Sequence, residues 1–174
     1  MYYSKIRNVK SPIKGTATDA GIDFYVPEFE ESFLKDLKDK NQNKKFALKD
    51  NDIILAPHES ILIPSGIKVN LKKTKEHTKW GGIMLVVHNK SGIASRQQLD
   101  RLAEVIDEDY QGEVHINVVN TSEKLQNITA GSKLVQMILE ETVYLQPKEL
   151  PIEQLFDEES VRGEGGFGHT DKQQ

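Results

Sequence analysis

Apolar and polar positions alternate with period two along most of this chain, in runs too short for helices and bounded by turn residues. Residues 51–71, NDIILAPHESILIPSGIKVNL, show the pattern best: β-branched runs are broken by Pro57, by Pro64 and by the Ser65-Gly66 pair. GGIMLVVHN (81–89), GEVHINVVN (112–120) and KLVQMILEETVYL (133–145) repeat it. Short strands at this spacing predict an all-β fold, as a sandwich, jelly roll or barrel. The chain carries no internal repeat.

One stretch follows a different period. In EFEESFLKDLKDKNQNKKF, residues 28–46, Phe29, Phe33 and Leu37 recur at helical spacing in a charged background. A short surface helix and a polar loop, an insertion over about 28–49, are expected between two strands. It reads either as a solvated charged insertion or as a face for a protein partner. KKTKEHTK, residues 72–79, predicts an exposed hairpin tip before Trp80; no aromatic residues interleave with its lysines, so it makes a poor nucleic-acid surface. From Pro151 the chain turns acidic and then glycine-rich, a composition that cannot bury enough surface to hold itself in place. The expected organisation is a β domain over 1–155 and a flexible C-terminal arm over 156–174.

Composition narrows the function classes. The 174 residues carry 29% charged residues and a formal net charge of -4, which argues against general binding to a nucleic-acid phosphate backbone. There is no cysteine, which removes disulfides, zinc thiolates and thiol nucleophiles. The start, MYYSKIRNVK, lacks the apolar stretch of a signal peptide, and no run reaches membrane-spanning length. A cytoplasmic protein with no membrane partner is expected, or one of the nucleus or host cytosol if it is viral.

The polar segments share a theme of phosphate and nucleoside. Asp23 lies just inside a strand after a small-residue turn, and Lys90, Ser91 and Gly92 place a cation, a hydroxyl and free backbone N–H groups in one turn, an anion-binding nest. Asp107, Glu108, Asp109 and Tyr110 end an apolar run, and Gln136 interrupts an apolar strand. In the arm, Arg162 suits bidentate phosphate contact and Phe167 offers a flat face for a base. Each has a plain structural reading beside the chemical one. Asp107 and Asp109 fit a solvated turn, Tyr110 a half-buried strand position, Asp23 a turn cap and Gln136 a cross-strand bond. His115, alternating with Val114 and Ile116, is expected to face out of the sheet or to find a core partner.

Together and in order, DAGIDFY, KSGIAS, EVIDEDYQGEV, GSKLVQMI and RGEGGFGHT resemble the five motifs of the trimeric, all-β deoxyuridine triphosphatase (dUTPase) family, across nearly the whole chain. The resemblance implies a jelly-roll-like β-barrel, a homotrimer, Mg2+ and hydrolysis of dUTP to dUMP and pyrophosphate at the α-phosphorus. It also implies roles. Asp107 resembles the carboxylate that deprotonates the attacking water, and Tyr110 the ring that excludes a 2′-hydroxyl. Lys90, Ser91, Gly92 and Gln136 resemble phosphate contacts, and Asp23 the acid that holds magnesium through water. Arg162, Phe167, Gly168, His169 and Thr170 match the arm that closes over the nucleotide.

Some positions depart from the pattern. Lys90 stands for the usual arginine, Arg96 for a lysine, Glu104 for a glycine beside the base, His169 for a serine and Asp171 for a glycine. The dCTP deaminase of the same fold would need a glutamate at Asn117, and an amide cannot shuttle protons. A nucleotide-switched protein-binding regulator, carried by the insertion, is the rival from another class.

Overall fold

The computed structural model describes residues 1–161, 163 and 164, which form twelve strands and three α-helices. The strands are β1 (Tyr2–Lys5), β2 (Ile22–Tyr25), β3 (Phe46–Lys49), β4 (Asp52–Leu55), β5 (Ser60–Pro64) and β6 (Ile67–Asn70). After them come β7 (Gly82–Asn89), β8 (Leu99–Arg101), β9 (Val105–Ile106), β10 (His115–Asn120), β11 (Gln126–Thr129) and β12 (Lys133–Thr142). The helices are α1 (Glu31–Lys40), α2 (Leu71–Lys75) and α3 (Ser91–Arg96).

The all-β expectation holds. Among the described residues the strands form four antiparallel sheets, ordered β1-β6, β5-β10-β8, β11-β4-β3 and β2-β12-β7-β9. They do not close into one barrel. β2 and β9 end the largest sheet, and β9 holds only two residues. Alternation sets which side is buried: Ile61 and Ile63 of β5 and Ile116 and Val118 of β10 all point into the core. β7 is apolar from Gly82 to Val87, and Ile83, Leu85, Val86 and Val87 are all buried. Each such side chain contributes about 1.5–3 kcal/mol on burial.

Within the insertion Glu31–Lys40 is a helix, as its spacing predicts, and Phe46–Lys49 at its end is a strand. Phe33 and Leu37 are fully buried, Phe29 stacks on Phe33 at 5.2 Å, and Lys38 and Lys40 complement the dipole in the last turn. Asn41 then donates to the Leu62 carbonyl at 2.8 Å and accepts the Leu62 N–H at 2.9 Å, which fixes α1 to β5. The apolar side of α1 is therefore used against its own core, and its outward face is charged.

Two local expectations are corrected. KKTKEHTK begins inside α2 rather than at a hairpin tip: Leu71 and Thr74 are buried on one side, and Asn70 caps the Lys73 N–H at 2.9 Å. Ser91 and Gly92 open α3 rather than forming a free turn, since the Ile93 and Ala94 N–H groups both bond the Lys90 carbonyl at 2.9 Å.

The chain divides into two units, Met1–Tyr144 and Leu145–Gln174. The first holds the sheets and helices. Among its described residues the second has a 3-10 turn, Ile152–Gln154, and leaves Leu145, Ile152 and Phe156 exposed. No helix among the described residues is long and apolar enough to cross a membrane.

Candidate active site

β2, β12 and β7 lie side by side and bring three of the predicted segments together. Asp23 on β2 is opposite Gln136 on β12, which is opposite His88 on β7, one residue before Asn89 and two before Lys90. Asp23 is almost fully buried. Its two carboxylate oxygens accept from Lys90 and, at 2.7 Å, from Lys133. Burial pushes the Asp23 carboxyl up, but the hydrogen bonds from Lys133 and Lys90 outweigh it and hold the group below the usual carboxylate range. The same bond pushes the Lys133 ammonium up. One carboxylate thus organises two cations, leaving a net positive patch for an anion.

Gln136 donates to the Asn89 carbonyl at 3.0 Å. A Cβ on Gly21 would fall 2.3 Å from the Gln136 side-chain oxygen, so only glycine admits this approach. Ser91 and Gly92 follow Lys90 directly and are exposed. Arg96, at the end of α3, is exposed as well.

The second group sits on the loop after β9. Asp107 is exposed, and its carbonyl accepts the Tyr110 N–H at 3.1 Å, closing a turn. The Tyr110 hydroxyl donates to the Glu113 carbonyl at 2.9 Å. The ring covers Gly112 so closely that a Cβ there would meet the hydroxyl oxygen at 2.2 Å. Asp107 lines two hollows. One, of about 450 Å3, also takes in Lys72, Met84, Glu108 and Thr142. The other, of about 170 Å3, takes in Glu104, Tyr110 and His115. Glu104, standing where a glycine was expected, pairs its carboxylate with Arg101 at 3.0 Å, and its carbonyl accepts the Val87 N–H at 2.7 Å. His115, expected to face out of the sheet or to find a core partner, is half-buried; its Nε2 is buried with no hydrogen-bond partner among the described residues, and burial pushes the imidazole down.

These two groups do not meet within one chain. β9 runs antiparallel to β7 with Ile106 opposite Leu85, so Asp107 lies beyond Leu85 in the direction away from Lys90. Five residues of extended chain separate Leu85 from Lys90, a span of about 17 Å. Arg162, Phe167, Gly168, His169 and Thr170 lie outside the described residues.

Lys133 and the network around Glu108 are absent from the sequence reading. Glu108 accepts from the Lys75 ammonium at 2.7 Å, from the Tyr144 hydroxyl at 2.5 Å and from the Ile83 N–H at 3.1 Å. The Lys75 and Tyr144 bonds, foremost, pull its carboxyl down to about 2. Lysines within basic or strand-forming stretches carry no local mark of their partners. An acid following Asp107 was the available signal, and it reads equally as a solvated turn.

The described residues thus form an antiparallel all-β chain with an acid–lysine cluster beside β2, β12 and β7 and an acidic loop after β9. The dUTPase family model matches residues 48–171, and the chain belongs to the dUTPase family. A deoxyuridine 5'-triphosphate nucleotidohydrolase of Hydrogenovibrio crunogenus is 34% identical over 123 residues, covering 70% of this chain and 74% of that protein. Among solved structures, a mutant dUTPase of phage 80alpha superposes with a TM-score of 0.68 at 20% identity, covering 97% of this chain and 96% of that one. A mutant dUTPase from phage phi11 of S. aureus, described for its coordination of a structural Mg(II) ion, gives 0.61 at 18% identity over 86% of this chain and 95% of that one.

Proposed function

We propose that this protein is a homotrimeric dUTP pyrophosphatase that produces dUMP and pyrophosphate by water attack at the α-phosphorus. The observation that carries the reading is the separation of the Lys90–Asp23–Lys133 cluster from the Asp107–Tyr110 loop along β7. Among the described residues the cluster and the Asp107 loop lie too far apart along β7 to act on the same phosphates within one chain, so the two make one site when different copies meet. Membership of the dUTPase family and the name of the Hydrogenovibrio relative support dUTP as the substrate.

In this mechanism Lys90, Ser91, Gly92, Gln136 and Lys133 bind the triphosphate, and the cations offset charge that builds on the phosphoryl oxygens. Asp107 takes the proton of the attacking water. Tyr110, pinned through its hydroxyl to the Glu113 carbonyl, packs under the deoxyribose and leaves no room for a 2′-hydroxyl. Arg162 and Phe167, with Gly168, His169 and Thr170, close over phosphates and uracil and exclude other water.

The donor set fits magnesium held mostly by substrate and water. Asp23 is a lone buried carboxylate, and the described residues contain no group of three or more acids or histidines able to hold a metal. Asp23 would hold the ion through water, and the ion would supply charge neutralisation on the phosphates. Cytoplasmic nucleotide metabolism is the setting this activity implies. The deaminase reading has an amide, Asn117, on β10 where it would need an acid.

Pyrophosphate release from dUTP, UTP, dCTP and dTTP, measured side by side with the solution mass, tests the proposal. Release from dUTP alone by a species of three chains is expected. Ammonia from dCTP, or an active monomer, would overturn it.

A further inference from the structure

The basic stretch at 72–79 has no part in phosphate binding as described above, yet it supplies one arm of a tightly built cluster. Glu108 follows Asp107 directly, and three donors from three different parts of the fold converge on its carboxylate. The Lys75 ammonium comes from the end of α2, the Ile83 N–H from the start of β7 and the Tyr144 hydroxyl from the chain just beyond β12. Glu108 is only 10% exposed although both of its neighbours, Asp107 and Asp109, are exposed. Lys75 also lies over the Tyr144 ring at 5.7 Å, and the Gly82 position approaches that ring too closely for any side chain. A loop that follows a strand of only two residues has little ladder to hold it. This cluster ties it down from the other side.

We propose that Glu108, clamped by Lys75 and Tyr144, is the positioning residue that holds the Asp107–Tyr110 turn in the geometry the reaction needs. This rests on the assignment of Asp107 as the base that acts on water. The clamp fixes the chain directly after Asp107, where the Tyr110 N–H also bonds the Asp107 carbonyl, while the short β9 ladder holds the chain before it. Misplacement of a base by about 1 Å costs up to about a hundredfold in rate. The clamp therefore acts chiefly on kcat, through Asp107, because the triphosphate is gripped by the Lys90–Asp23–Lys133 cluster elsewhere. Its charge balance lies far from titration near neutral pH, so it stays closed over the working range.

The test compares native protein with Glu108→Ala, Lys75→Met, Lys75→Arg and Tyr144→Phe in steady-state pyrophosphate release from dUTP, each paired with a melting curve. Glu108→Ala is expected to lower kcat at least tenfold with KM within about twofold. Lys75→Met is expected to lower kcat severalfold, and Lys75→Arg, which keeps a cation, to restore it. An unchanged kcat in Glu108→Ala overturns the proposal, as does a loss that tracks the unfolded fraction or that appears in KM alone. If Glu108→Ala does not fold, the contrast between Lys75→Met and Lys75→Arg decides: equal rates overturn the clamp. Native protein inert toward dUTP would sink the functional reading itself, a result distinct from active native protein with indifferent variants.

Discussion

Arg7 and Glu113, 106 residues apart, form a two-pronged pair: Nε to Oε1 at 2.8 Å and Nη2 to Oε2 at 2.9 Å. Both side chains are 10% exposed. The Gly66 N–H adds a third bond to Glu113 at 2.7 Å, and Asp36 of the insertion helix also accepts from Arg7. The pair therefore joins the N-terminal segment, the β5–β6 turn and α1 to the residue whose carbonyl receives the Tyr110 hydroxyl. Removing Arg7 leaves Glu113 as an unpaired, largely buried charge, so Arg7→Ala is expected to cost about 3 kcal/mol.

Its pH dependence has a definite sign. Burial pushes the Glu113 carboxyl up, but Arg7 and the Gly66 N–H outweigh it and hold the group below its ordinary value. A depressed carboxylate stabilises the fold above its unfolded value of about 4.3 and loses that contribution as pH falls through its folded value. The stability gap between native protein and Arg7→Ala should be full at pH 7 and narrow as pH falls below about 4. Denaturant titrations at several pH values measure it; a gap that stays constant to pH 3 would assign the stability elsewhere.

Much of the fold is legible in the chain, and the reasons for the exceptions are physical. Period-two alternation with Pro57, Pro64 and Gly66 as punctuation marks β4, β5 and β6, and Phe29, Phe33 and Leu37 mark α1, because in each the apolar side faces the core. α2 is hidden because its inward positions are Leu71 and Thr74, and a buried threonine looks polar in a pattern. α3 is hidden because Ser-Gly is ordinary turn chemistry and the helix is only six residues long. At the candidate site, local motifs bring Asp23, Lys90 and Gln136 to notice. Pairings across long stretches of chain, Lys133 with Asp23 over 110 residues among them, leave no local trace.

Asp107 is expected to matter for turnover and little for binding. Asp107→Asn preserves size and polarity but cannot accept the proton of water, so kcat should fall by about 100-fold to 10,000-fold. Binding of a non-hydrolysable dUTP analogue, measured by calorimetry, should stay within severalfold. Normal turnover would remove Asp107 from the mechanism.

The proposed sugar gate, Tyr110, is packed directly over Gly112. Tyr110→Ala should admit UTP by opening space at the 2′ position. Gly112→Ala tests the same gate from the other side, since a Cβ 2.2 Å from the hydroxyl oxygen must displace the ring and its bond to the Glu113 carbonyl. Overpacking of this kind costs about 1–3 kcal/mol. Both variants should narrow the dUTP/UTP ratio of kcat/KM, and a ratio equal to that of native protein in both would refute the gate.

Lys133 shares Asp23 with Lys90, and its side chain is about half exposed, so it is free to swing toward a phosphate while Lys90 stays more buried. Lys133→Met removes one cation from the patch and leaves the Lys90–Asp23 pair. An exposed charge contact to a triphosphate is worth about 1.4 kcal/mol at most, or a tenfold change in affinity. KM for dUTP should rise about threefold to tenfold with a smaller change in kcat, and the dependence of KM on salt should weaken because one screened contact is gone. Asp23→Asn should act in the opposite sense on the cluster: two ammoniums lose their shared counter-ion, so the empty protein is destabilised and, without added magnesium, dUTP raises its melting temperature more than it does in native protein. A variant whose KM and salt dependence both match native protein would place Lys133 outside the phosphate site and leave it as the second brace of a structural carboxylate.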